Sequence, residues 1–183
     1  ALNEGVADVI SLFLTGDPQM AEYAGGEDGP IRDLADARTC PSHLWGEVHR
    51  DGEIIGAMFW HLLEDARIEQ AQLEMVLIGA ISTWTGNPGW DGAGRSFIEA
   101  ADVLLADGAM DADAHLAVSE AVEAFGLVEC SRVVSAASDE TMSQYLINLG
   151  LLGDFSQVPG EVQFRYVVPE GALDVDIVVD DFR

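Results

Sequence analysis

The chain has 183 residues, 49% of them hydrophobic, with 33 acidic side chains against 8 basic ones and a formal net charge of −25. That is material for one medium domain or two small ones with a packed core, not for a disordered acidic tail, and no apolar run reaches the roughly 20 residues that span a bilayer. All eight basic residues are arginine, so neither nucleic acid nor an anionic membrane surface is expected as a partner.

Val6, Val9, Ile10, Phe13 and Leu14 recur at three- and four-residue steps and predict a first helix, with Asn3 as cap and Gly16-Asp17-Pro18 as stop. Residues 16–50 are rich in Gly, Pro and Asp and read as a long irregular connection, a kind of loop that is usually functional. A second helix is predicted from Gly52 to Ala66, with Ile54, Ile55, Met58, Phe59, Leu62 and Leu63 as its stripe. The stretch from Ile68 to Ile81 is apolar nearly all round and suits a central buried helix, broken by Thr85 to Gly94. Ser96 and Glu99 have the spacing of a capping box and open a helix through Phe97, Ile98, Ala101, Leu104 and Leu105. Another helix covers Asp113 to Phe125 with Gly126 as its stop, and Ser138 to Leu149 reads as a last short one. The tail then alternates: Val162, Phe164, Tyr166 and Val168 precede the turn Pro169-Glu170-Gly171, and Leu173, Val175, Ile177 and Val179 follow it. That pattern predicts a hairpin, which is marginal alone in water and must pack on the helices or belong to a larger β module. Cys40 and Cys130 fit either one bridge or two buried thiols.

Glu4 and Asp8 share a predicted helix face with Ser11 and Thr15. Carboxylates four residues apart can converge, one on a metal and the other orienting a neighbouring ligand; a solvated polar face is the plainer alternative. His49 lies where the long loop gives way to a helix, so it can present a ring nitrogen to a cleft and donate to a developing oxyanion, or simply cap and pack. His43, Glu47 and His49 form a looser set that could gather a cation. Arg32 can bind a carbonyl or pair with a carboxylate. The chain contains no H-E-x-x-H, G-x-S-x-G, phosphate loop or C-x-x-C.

Taken in order, Asn3-Glu4-Gly5-Val6-Ala7-Asp8, then Ile31-Arg32-Asp33-Leu34, then Val48-His49 with Gly52, resemble the N-E-x-x-S-D helix and succeeding motifs of thermolysin-like and fungalysin-like zinc metallopeptidases. Ser96-Phe97 with its helix, and Val122 to Val128, resemble the closing helices of that family's helical subdomain, so the similarity covers residues 2 to about 130. It implies a mainly α fold, a thermolysin-like C-terminal helical subdomain over residues 1–153. A short β hairpin within residues 154–183 would follow and begin a β-sandwich accessory module, since Val168-Pro169-Glu170-Gly171-Ala172 resembles the opening of such modules.

The resemblance also implies roles. Glu4 would be the carboxylate ligand of a zinc ion, Asp8 the acceptor that holds a zinc-binding histidine, Arg32 a contact to the substrate carbonyl, and His49 the stabiliser of the oxyanion. The implied reaction is peptide hydrolysis by a zinc-activated water. In the family the other two ligands and the general base come from H-E-x-x-H on a preceding helix. The implied protein is therefore a secreted or extracellular zinc metalloendopeptidase of which this chain begins inside the catalytic domain. Such a chain is inactive alone; its partners are the upstream H-E-x-x-H half and a peptide or protein substrate. Two positions depart from the pattern: Ala7 replaces a serine, and Leu44 stands where many members place an aspartate that supports the oxyanion histidine. Glu47 is the candidate for that support. A reading from another class is a non-catalytic acidic helical binding module on a degenerate peptidase scaffold, distinguished by whether H-E-x-x-H is encoded upstream of Ala1.

Overall fold

Ile54, Ile55, Met58, Phe59 and Leu62 form one helical stripe, and all five are buried in α3 (Val48–Leu63), the helix around which the others are arranged. The computed structural model describes residues 1–25, 29–86, 88–131, 133–136, 146–148, 157–159 and 163–168. Its fold is mainly α with a short antiparallel β hairpin. Helices α1 (Leu2–Thr15), α4 (Gln70–Thr83) and α6 (Ala112–Ala124) pack on α3, while α5 (Gly89–Ala106) packs on α4 and α6. A four-residue helix, α2 (Glu22–Gly25), lies in the long connection after α1. Among the described residues no helix is long and apolar enough to cross a membrane.

Phe59 is the hub of the core. Its ring meets those of Phe13 and Phe97 edge-on, at 5.8 and 5.3 Å between centroids, and Phe97 meets Trp84 at 6.2 Å. Each such aromatic pair is worth about 0.5–1.5 kcal/mol beyond the area it buries. α3 holds the centre because its small residues let neighbours approach: Leu34 lies directly on Gly56, and α1 crosses at Gly52. The apolar run from Ile68 to Ile81 is therefore not the central helix expected from its composition. α4 buries Leu73, Val76, Leu77 and Ala80 but leaves Met75 and Ile78 exposed.

α1 is rotated relative to its predicted stripe. Leu2, Gly5, Asp8, Val9 and Leu12 are buried, whereas Ile10 and Leu14 face solvent. Two causes turn it: Gly5 permits backbone contact with α3, and the charge of Asp8 is met by Arg32 from the connection after α1, so a carboxylate can be buried.

Ser96 does not open a helix. α5 begins seven residues earlier at Gly89, and Ser96 is a buried mid-helix residue that donates to Ala93 O at 2.7 Å and accepts from Trp84 Nε1 at 2.8 Å. α4 carries a capping box instead, with Glu69 N–H donating to Gln72 Oε1 at 3.1 Å. Asp111 caps α6 by accepting from Ala114 N–H at 2.9 Å, and Gly126, at φ 73°, ends that turn beside Cys40. Cys40 is bonded to Cys130, with 5.5 Å between Cα atoms and a sequence separation of 90.

The C-terminal segment departs from its predicted pattern. Leu146 to Asn148, expected at the end of a helix, form strand β4, which pairs antiparallel with β5 (Gln157–Pro159). Strand β3 (Val133–Ala136) pairs in parallel with β6 (Gln163–Tyr166), Val134 opposite Phe164. The alternating run from Val162 therefore does form a strand, but its described partner is β3. The expected second arm, Leu173 to Val179, lies outside the described residues. A parallel partner thirty residues back leaves no signal in the local alternation from which the hairpin was read.

Candidate active site

The geometry starts from two glycines. A Cβ on Gly5 would stand 2.7 Å from Gly52 O, and one on Gly52 would stand 2.8 Å from Gly5 N, so α1 and α3 touch through backbone. Side chains that flank this contact must meet. Glu4 comes from the first turn of α1 and His49 from the first turn of α3, and Glu4 Oε2 lies 3.4 Å from His49 Nε2. Both are about half exposed.

The other ring nitrogen of His49 is held. Glu47 is the N-cap of α3; its Oε2 accepts from Arg50 N–H at 2.9 Å and its Oε1 from His49 N–H at 3.2 Å. The same Oε1 lies 2.8 Å from His49 Nδ1. Burial pushes the Glu47 carboxyl up, but its hydrogen bonds with His49 and the backbone N–H of Arg50 and His49 outweigh this and hold it below the usual range. An ionised Glu47 makes Nδ1 a donor, which fixes the ring orientation and leaves Nε2 directed toward Glu4. Glu47, the sequence candidate for a partner of His49, is thus in contact with its ring, while Leu44 at the departed position is buried in the core.

Arg32 reaches the same face from the other side of α1. It lies in β2 (Arg32–Asp33), which pairs antiparallel with β1 (Gln19–Met20), Met20 opposite Arg32, and this fold-back returns the loop to α1. Leu34, seated on Gly56, anchors it. Arg32 Nη2 donates to Asp8 Oδ1 at 2.6 Å and Nε to Oδ2 at 3.1 Å, a two-pronged pair largely shielded from water. That bond raises the Arg32 pKa, so the guanidinium is charged throughout. Two of its five N–H groups are used by Asp8, and the Asp8 carboxylate keeps lone pairs beyond the two that accept. Glu4, Asp8, Arg32 and His49, singled out in the sequence from three separate segments, are thus brought to one region around the α1–α3 crossing. Asp8 is buried in its pair with Arg32, whereas Glu4 stays about half exposed to solvent.

Among the described residues the only side chain paired with the Glu4 carboxylate is His49, so it has the free oxygen lone pairs that a carboxylate metal ligand needs. No three His, Cys, Asp or Glu side chains among the described residues are grouped to hold a metal ion. The looser set of His43, Glu47 and His49 does not gather among the described residues; His43 Nδ1 instead accepts from Thr39 N–H at 2.9 Å. A cleft of about 320 Å³ opens between the starts of α1, α3 and α5, lined by Leu2, Asn3, Val48, Asp51, Trp84 and Trp90. Along the chain Asn3 and Val48 are the immediate neighbours of Glu4 and His49.

Sequence reasoning missed a second charged cluster beside this one. Glu53 is fully buried within the stripe of α3, with Arg38 Nε 2.6 Å from its Oε2 and Arg50 Nη1 donating to its Oε1 at 3.3 Å. Burial drives the Glu53 carboxyl up, opposed by Arg38 and Arg50. Both guanidinium groups lie against the Trp45 ring, at 5.9 and 5.3 Å from its centroid. The available signal was a glutamate directly before Ile54-Ile55, since a charge inside an apolar stripe needs a partner. Compared with known proteins, the chain matches no family model, no curated protein and no solved structure.

Proposed function

We propose that this chain carries one half of the active site of a secreted zinc metalloendopeptidase, the other half being an upstream H-E-x-x-H segment of the same protein. The observation that supports this reading most is the meeting of Glu4, Asp8, Arg32 and His49 around one helix crossing, with the His49 ring held by Glu47. Each has a role that suits its surroundings. Glu4 offers an accessible carboxylate as a metal ligand. Asp8, pinned by Arg32, has lone pairs left to hold a ligating histidine of the other half in its tautomer. Arg32 keeps N–H groups beyond those given to Asp8 and can turn one to the substrate carbonyl. His49, in its doubly protonated form with Nδ1–H given to Glu47, offers Nε2–H as a donor to the oxygen that becomes negative when the peptide carbonyl is attacked. Bound zinc supplies a Lewis acid and a water acidified enough to be the nucleophile. The bond between Cys40 and Cys130 supports an oxidising, extracellular destination.

The test is Glu4→Gln in the protein expressed from its complete reading frame. Native mass and metal analysis should give one zinc per wild-type molecule and none in the variant, with peptide hydrolysis lost. Unchanged zinc stoichiometry overturns the ligand assignment. His49→Ala should keep the zinc and lose about 10²–10³-fold in kcat, the effect of removing one oxyanion donor. A wild-type protein with no H-E-x-x-H segment and no metal would favour the acidic binding module instead.

A further inference from the structure

In a chain of net charge −25, arginines are scarce and most of those described are matched to carboxylates. Arg32 is matched two-pronged to Asp8, Arg67 to Asp65 and Glu120, and Arg95 to Asp91. Arg38 holds Glu53 at 2.6 Å. Arg50 differs. Its guanidinium gives one N–H to Glu53, at 3.3 Å, on a carboxylate that Arg38 already holds more closely, and it has no other side-chain hydrogen bond among the described residues. Four of its five donors are therefore uncommitted there.

The group is also oriented and reachable. Its Cζ lies 5.3 Å from the centroid of the Trp45 ring, an attraction that favours the charged head over the aromatic face. Its side chain is 37% exposed, and its backbone directly follows His49 in the first turn of α3, where Glu47 fixes both residues. The net charge of −25 works against the capture of anionic ligands by the chain as a whole. A planar fork with free donors, shelved on an indole, is the arrangement that recognises a carboxylate by two parallel hydrogen bonds.

We infer that Arg50, seated on Trp45 one residue along α3 from His49, is a specificity-determining residue that recognises a carboxylate of the bound peptide, either an acidic side chain or a free chain end. Its assignment to a peptide ligand rests on the peptidase reading above; the carboxylate preference itself does not.

The test is equilibrium binding to the full-length protein, read from the Trp45 indole signal in NMR spectra. Three probes too small to be cleaved as endopeptidase substrates serve. N-acetylglutamate N-methylamide carries only a side-chain carboxylate, N-acetylglutamine only a terminal one, and N-acetylglutamine N-methylamide neither. One of the two acids should bind roughly tenfold more tightly than the neutral probe, and which one does so assigns the source of the carboxylate. Arg50→Gln should erase the difference. Arg50→Lys keeps the charge beside Glu53 and should fold as wild type, yet bind the preferred acid several-fold more weakly because an ammonium has no fork. Equal binding of all three probes to wild type, a preference that survives Arg50→Gln, or full affinity in Arg50→Lys overturns the inference. Preference without zinc retention would sink the peptidase reading alone, whereas peptide cleavage without preference would sink this inference alone.

Discussion

Replacing Gly5 by alanine tests the contact on which the candidate site depends. The new Cβ would stand 2.7 Å from Gly52 O and 3.1 Å from Ile55 Cβ, where ordinary contact begins near 3.4 Å. To accept it, α1 and α3 must separate by about 0.7 Å, an overpacking that costs roughly 1–3 kcal/mol. Alanine recovers up to about 1 kcal/mol through its better helix propensity. At the middle of that cost range, about 2 kcal/mol, the net loss is about 1–2 kcal/mol, which for a chain of this size lowers Tm by roughly 3–6 °C. Urea and thermal unfolding followed by circular dichroism measure it. The separation also draws Glu4 away from His49, so the wild-type nuclear Overhauser contacts between their side chains should weaken. A Gly5→Ala protein as stable as wild type, or more so, would show that the helices do not touch at this pair, and the convergence of Glu4 with His49 would lose its cause.

Other perturbations separate the remaining parts. The double variant Cys40→Ser/Cys130→Ser opens a loop of 90 residues, for which loop-closure entropy gives about 4.6 kcal/mol of lost stability. Denaturation with and without reductant should show that loss in wild type alone. Glu47→Ala removes the cap of α3 and should cost about 1 kcal/mol, while the His49 Nδ1 proton, protected in wild type, should disappear from the downfield NMR spectrum. The Arg67 side chain and backbone N–H hold the Asp65 carboxyl down at about 2, against 3.8 ordinarily. Its folded pKa is depressed, so its stabilising contribution is full above pH 3.8 and is lost as pH falls toward about 2. An NMR titration of Asp65 should show that midpoint, and Arg67→Gln should return it toward 3.8.

Local periodicity carried much of the helical part. The stripe of α3 is buried as its spacing indicates, and α6 turns Val118, Val122 and Phe125 inward with Gly126 as its stop. What periodicity could not supply was the competition between helices for the centre. The run through Val76 and Ile78 is apolar enough to be central, but in α3 large apolar residues stand beside Gly52 and Gly56, where α1 and Leu34 come into direct contact, and that closeness of approach is invisible to periodicity. The rotation of α1 was hidden for a related reason: its buried face includes a glycine and an aspartate, which hydrophobic spacing counts against burial. At the site, Glu4, Asp8, Arg32 and His49 were legible as an ordered set, and Glu47 as a neighbour of His49. Their convergence was not, because it depends on a backbone contact between residues 5 and 52 and on a fold-back held by two-residue strands. Glu53 with Arg38 and Arg50 was missed because no motif marks a charge whose partners lie one turn away and in another segment.

The bond between Cys40 and Cys130 has a topological side. It closes α3, α4, α5 and α6 into a covalent ring, so a single backbone cut anywhere between these cysteines leaves both pieces attached. A protein exposed to proteases could be nicked between α4 and α5 and still keep α5 and α6 tethered, through Cys130 and Cys40, to the piece that carries Glu4, His49 and Arg50. Such a nick would be silent in the mass of the unreduced protein except for one added water, and would release fragments only when the disulfide is reduced.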